Sequence, residues 1–314
     1  SQALEPVPLE NRSRLARKIA QHEFVVLAEI FPPRGCDPAK EIEGAHYLAQ
    51  NDVDAIYVPE GPRAGARMSA MVLAHIIQTK VEIETILQYS CRDRNIVSIQ
   101  SDLLGASALG LRNVVLITGE PPRKGNYPDA TAVFDVDSIG LAKIAGNLNR
   151  GLDIGGNFVG NQTGFLIAVS ANPGAVDLEE VVERLEAKFR LGADCVVTPP
   201  VFDVEQLGRF LERSRHLQVP ILAGIWPLTS YRNAEFLANE WHVRIPEPIL
   251  ERMRAADSGE AARLEGIRIA QEVVLQLHNQ VQGLLVSAPL GRYGAVVEVL
   301  SVVTDNREAG PARL

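Results

Sequence analysis

Glu29 sits inside the apolar run VVLAEIF, where a carboxylate is expelled unless it has a partner or a task. Desolvation there raises its pKa and favours the protonated acid, the form that donates protons in catalysis. The plainer reading is a core glutamate paired with Arg34 or Arg67. A second acid, Glu120, stands in the turn TGEPP. Two facing carboxylates would suggest glycoside hydrolysis, but sugar sites also need aromatic platforms, and Trp226 and Trp241 both fall in the last third of the chain. Turn statistics equally allow Glu120 to be a surface residue. Lys188 has the chemistry of a Schiff-base lysine or a phosphate ligand, against the plainer reading of a solvated lysine on a charged helix. The six histidines form no HExxH motif, and Cys36, Cys91 and Cys195 form no CxxC pair. Neither a catalytic metal nor a reactive thiol is expected.

The elements that must position these residues recur regularly. Eight short β-branched runs are separated by helical patterns: 24–30, 53–58, 84–90, 113–118, 165–170, 195–198, 221–225 and 284–287. Most are continuously apolar, as strands covered on both faces are. Between them lie amphipathic stretches such as 177–191, with Leu178, Val181, Val182, Leu185 and Phe189 at helical spacing. Asp177 is placed to cap that helix and Gly192 to end it. Strand alternating with helix eight times predicts a (β/α)8 TIM barrel in a single domain, 23–314, preceded by a linker and a preliminary helix over 1–22. An open doubly wound sheet is the alternative, weakened because no GxGxxG follows a strand.

In a barrel the residues after each strand converge on one mouth. Here they are AEIFPPRG, VPEGPRAGARMS, Gln88 to Asp93, Thr118 to Glu120, Asn172 and Pro173, Thr198 to Pro200, Pro227, and Gly291 with Arg292. The irregular segment 119–133 belongs to that mouth, whereas 151–164 precedes a strand and belongs to the opposite face. Neither GPRAGAR nor GEPPRKG matches a phosphate-binding P-loop.

Composition limits the partners. The 314 residues are 46% apolar, 22% charged and carry a formal charge of −8, which excludes a disordered chain and disfavours nucleic acid. No apolar stretch approaches the roughly 20 residues of a membrane helix. Three scattered cysteines and no secretory signal point to the cytoplasm. The chain begins with Ser, in keeping with a piece of something longer.

Taken together, AEIFPPRG, ILQYSCRDRN, TGEPP, NPGA, AKFRLGADCVVTPPVFD, GIWPLTSYRNAEF and VRIPEPIL resemble the methylenetetrahydrofolate reductase family over residues 24 to 292. VPEGPRAGARMS and DATAVFDVDSIGL are most similar to the reductase half of proteins that join it to a homocysteine S-methyltransferase. The resemblance implies a flavoprotein in which NADH or NADPH reduces FAD, and FAD reduces 5,10-methylenetetrahydrofolate to 5-methyltetrahydrofolate. It implies Glu29 as general acid and Glu120, in place of the family's aspartate, beside flavin and pterin. FAD contacts would fall on Gln88, Thr118, Gly119, Glu120, Val136, Asn172, Ala175 and Lys188, with Lys188 at the pyrophosphate. Folate contacts would fall on Glu120, Asn233 and Arg292. A fused or associated methyltransferase domain and a homo-oligomer are compatible with this reading; a metal, nucleic acid or membrane is not expected. One departure stands out: the family's substrate-binding glutamine is replaced by Pro199. Its loss, with Gln88 and Asn172 where the family has histidines, leaves a non-catalytic or altered folate/FAD-binding partner barrel as the alternative. A flavin-free lyase or glycosidase is the remaining rival.

Overall fold

The computed structural model describes residues 3–61, 64–241, 243–256 and 259–308. Eight parallel strands close into a barrel in sequence order: β1 (Val25–Glu29), β2 (Ala55–Val58), β3 (Glu84–Ser90), β4 (Asn113–Ile117), β5 (Leu166–Ser170), β6 (Cys195–Pro200), β7 (Ile221–Ile225) and β8 (Gly283–Val286). β8 pairs back onto β1, with Val25 opposite Gly283, so the open-sheet alternative is excluded. The strands are almost wholly buried because helices cover them outside while their inward side chains fill the barrel.

The helices are α1 (Arg14–Ala20), α2 (Ala39–Ala49), α3 (Ala70–Val81), α4 (Ile96–Ala108), α5 (Ser138–Leu148), α6 (Leu178–Arg190), α7 (Val204–Ser214), α8 (Tyr231–Glu240), α9 (Glu247–Ala255), α10 (Gly259–Leu277) and α11 (Tyr293–Glu308). Their starts are written locally. Asn95, Asp137, Asp177, Asp203 and Ser230 each accept a backbone N–H from the first turn that follows. Gly192 takes a φ of +105° after α6, the left-handed conformation that ends helices and favours glycine.

Two features depart from a plain eightfold repeat. Helix α1 closes the N-terminal end of the barrel, where Leu15, Ala16 and Ile19 join the interior cluster of Val25, Leu27, Ile86 and Leu166. The β7 to β8 crossover carries three helices, α8 to α10. They enclose a separate apolar cluster of Trp226, Leu228, Leu237, Ile245 and Met253 beside the C-terminal mouth. The segment 151–164 folds back on the opposite end through a Leu152–Phe158 bridge and Thr163 N–H donating to Leu148 O. Among the described residues no helix is long and apolar enough to cross a membrane.

Candidate active site

Glu29 ends β1 and lines a cavity of about 200 Å³ at the mouth of the barrel. Its side chain is buried, with the residue 9% exposed, and Oε1 has no hydrogen-bond partner. Burial raises its pKa to about 7, and a bond from Ser287, just beyond β8, offsets part of that rise. None of the ion pairs among the described residues involves Glu29. Arg67, one expected partner, donates to Pro32 O at 2.8 Å instead. The glutamate is therefore not a salt-bridged core residue but a buried acid with a raised pKa facing a partly open cavity.

The next two strands furnish its polar neighbours. Tyr57 is the register partner of Glu29 across β1 and β2, and Gln88 follows on β3. The Glu60 N–H donates to Gln88 Oε1 at 3.0 Å, which turns Gln88 Nε2 onto Tyr57 Oη at 2.6 Å. The phenol is thus an acceptor toward Gln88, leaving its own proton for the cavity. Burial, then the charges of Glu29 and Glu60, keep that phenol protonated. Glu60 itself is held by Arg94 Nη1 at 2.8 Å and by Ser90 Oγ at 2.7 Å. It anchors the wall from behind.

The opposite wall is apolar. β6 runs on through Pro199 and Pro200, with a register shift against β7 between Val197 and Pro200. Gly224 permits the close approach: a Cβ there would lie 2.7 Å from the carbonyl oxygens of Thr198 and Pro199. Trp226 and Trp241 complete this wall edge to face, ring centroids 5.2 Å apart. The Trp226 indole N–H donates to Asn233 Oδ1 at 3.1 Å, and that oxygen also accepts Thr229 N–H. The tryptophans, far from Glu29 in sequence, are thus part of its site.

Lys188 lies on α6 and is 6% exposed, which removes the solvated-helix reading. Its Nζ donates to Ser170 O at 3.2 Å, at the end of β5, and Ser170 lines the cavity. Burial first, then nearby Arg184, lower its pKa to about 8, while Asp137 opposes them. An ammonium buried against one neutral carbonyl keeps donors for an anion, so this corner fits a cofactor's phosphates.

The other expected residues are spread around the rim. Thr118 Oγ1 accepts Ser138 N–H at the start of α5, and Val136 packs against Gly140 in its first turn. Gly119 adopts a φ of +89° with Ser90 and Arg92 close by. Asn172 is exposed, its Oδ1 accepting Gly174 N–H, and Ala175 N–H donates to Asn172 O. Glu120 does not line the cavity; its carboxylate is 44% exposed and pairs with Lys124 at 3.2 Å. Arg292 is exposed after β8. Tyr57, Glu60 and Ser287 are site residues that sequence reasoning passed over. Ser287 could have been found, since it closes the eighth apolar run. Among the described residues no three or more His, Cys, Asp or Glu are grouped to hold a metal.

Comparison with known proteins adds an independent line. Residues 14–301 match the model of the methylenetetrahydrofolate reductase family. A 5,10-methylenetetrahydrofolate reductase of Pectobacterium carotovorum subsp. carotovorum is 24% identical over 268 residues, 83% of both chains. Methylenetetrahydrofolate reductase 1 of Schizosaccharomyces pombe is also 24% identical, over 88% of this chain but 47% of its own length. The chain therefore spans about half of that relative. Among solved structures, a Clostridium thermocellum protein that binds two copies of 5-methyl-5,6,7,8-tetrahydrofolic acid superposes with a TM-score of 0.67 at 14% identity, covering 95% of this chain and 100% of that one. At that identity the likeness concerns the fold. The match over nearly the whole barrel is what assigns the molecule: this chain belongs to the methylenetetrahydrofolate reductase family.

Proposed function

We propose that this barrel reduces 5,10-methylenetetrahydrofolate to 5-methyltetrahydrofolate with electrons taken from NADH or NADPH through FAD. The observation that carries this reading is Glu29, a buried acid without a counter-charge whose pKa of about 7 faces the cavity. Bound FAD supplies hydride chemistry between the nicotinamide and the folate carbon. The protein's part is to place and protonate. Protonated Glu29 delivers its proton to the nitrogen that leaves as the folate's five-membered ring opens, and an iminium carbon is left to accept hydride. Ser287 holds the carboxyl in place. Lys188, with Arg184 near it, meets the cofactor's pyrophosphate, while Gln88, Thr118 and Gly119 form the adjoining rim. Burial keeps about half of the acid protonated at neutral pH, and bound flavin and folate, by displacing water from the cavity, would protect the iminium from hydrolysis.

Pro199 favours the second reading, a barrel that binds folate or FAD without turning it over. Loading the protein with FAD, reducing it with each nicotinamide and then adding methylenetetrahydrofolate separates the two. Flavin reoxidation by the folate is expected. A chain that takes up FAD but is not reoxidised is a binding module, and one that takes up no FAD is not the reductase and is neither only if it also binds no folate.

A further inference from the structure

The departure at Pro199 leaves a question that the fold answers. The β6–β7 side of the cavity presents Pro199, Pro200, Trp226 and Trp241, and the Thr198 hydroxyl and Trp226 indole N–H on that side are already engaged within the fold. Thr198 Oγ1 donates to Pro199 O and accepts Gly224 N–H. The Asn233 amide oxygen accepts from Trp226 and Thr229. Such a wall has little hydrogen-bonding capacity to spare for a ligand's edge, but it can cover a ligand's face. The facing side is the reverse: Glu29, Tyr57 and Gln88 offer donors and acceptors in a row across three neighbouring strands.

The two indoles are not disposed as simple core filling. Trp226 is 8% exposed and pinned by Asn233, so its ring plane is fixed. Trp241, at the C-terminal end of α8, stands nearly perpendicular to it at 85° and is backed by Phe236 at 5.9 Å. It is only partly buried and lines the same cavity. Flat π faces at a cavity wall recognise flat rings, and do so without regard to the ring's hydrogen-bonding pattern.

We infer that Trp241, set by Trp226, Asn233 and the Pro199–Pro200 turn, is the specificity-determining wall of this site. The flat pyrimidine half of a bicyclic ring stacks on it and turns its polar edge toward Glu29, Tyr57 and Gln88. The inference rests on the reductase reading for the identity of that ring, a reduced pterin. It replaces edge recognition from β6 by face recognition from α8. Asn233 is then a positioning residue, acting through the Trp226 indole.

The test is equilibrium dialysis of 5-methyltetrahydrofolate against the FAD-loaded protein, with wild type, W241F, W241L and W241A compared. Stacking predicts a dissociation constant about tenfold or more higher in W241A and W241L, with W241F close to wild type. The KM for methylenetetrahydrofolate is expected to rise in step. W241L separates stacking from packing because it keeps an apolar side chain without a flat face, and it serves if W241A does not fold. In W226F, Trp241 is the sole remaining tryptophan, so its emission is expected to change on adding the folate. Binding by W241L as tight as wild type, or a silent Trp241, overturns the wall and leaves the reductase reading standing if turnover persists. A wild type that retains no 5-methyltetrahydrofolate overturns both.

Discussion

The two ends of this barrel bury carboxylates in opposite ways. At the N-terminal end, Asp194 accepts from Arg12 Nη1 at 2.9 and 3.1 Å and from the Ile167 N–H at 2.8 Å. Around it, Glu84 accepts the Arg14 and Leu15 N–H groups, and Asp54 accepts from Lys18 and the Val26 N–H. Every one of these acids is tied to the segment around α1 or to a strand end. At the C-terminal mouth, Glu29 has a hydroxyl partner and an orphaned oxygen. Burial raises both pKa values, Asp194 to about 6 and Glu29 to about 7, but only Asp194 has a cation beside it. A similar titration thus accompanies a latch at one end and a proton source at the other. What separates them is whether the fold supplies the partner or leaves it to a ligand.

That contrast predicts different failures. Glu29→Gln is expected to slow folate reduction by roughly 100-fold or more, the scale on which general acids act, while flavin reduction by the nicotinamide continues. Equal loss in both half-reactions breaks the assignment. The same variant carries a stability signature. The folded state holds the Glu29 proton up to about pH 7, whereas the unfolded chain releases it near 4.5. Its contribution is thus complete below 4.5 and lost as pH rises through 7. Above that, wild type should be less stable than the variant by about 3 kcal/mol, about 2 kcal/mol of it already lost at pH 6, which denaturant midpoints at pH 4.5, 6 and 8 would trace.

Arg12→Ala is expected to do the reverse: lower stability by about 3 kcal/mol, because a buried carboxylate loses its cation, with the kinetics of the folded enzyme unchanged. A change in folate turnover would mean that the two ends are coupled. Lys188→Ala is the smallest of the three effects, weakening FAD retention about tenfold by removal of one charge-assisted contact. Undiminished retention in dialysis would detach Lys188 from the cofactor.

Much of this was legible in the residues. Continuous apolar runs located all eight strands, and β3 and β7 begin and end where those runs do. The sixth strand was read too short, because proline normally stops a strand; here a register shift against β7 accommodates Pro199 and Pro200. Glu29 was legible because a charge inside VVLAEIF breaks the pattern. Lys188 was half legible: it falls three residues after Leu185 and six after Val182, on the buried face of α6, although the sequence around it is strongly charged. Trp226 and Trp241 were not, since only barrel closure and the three-helix crossover bring the last third of the chain over β1. Glu120 shows the converse limit, a residue after the right strand whose side chain turns to Lys124 rather than into the cavity.

The central claim is that Glu29 supplies the proton, and the pH dependence of a single turnover tests it most directly. Reduced enzyme mixed with methylenetetrahydrofolate should be reoxidised at a rate that falls about tenfold per pH unit above a midpoint near 7, with Glu29→Gln slow and flat across the same range. A wild-type rate that is flat through pH 7, or a variant that keeps the wild-type profile, would contradict it.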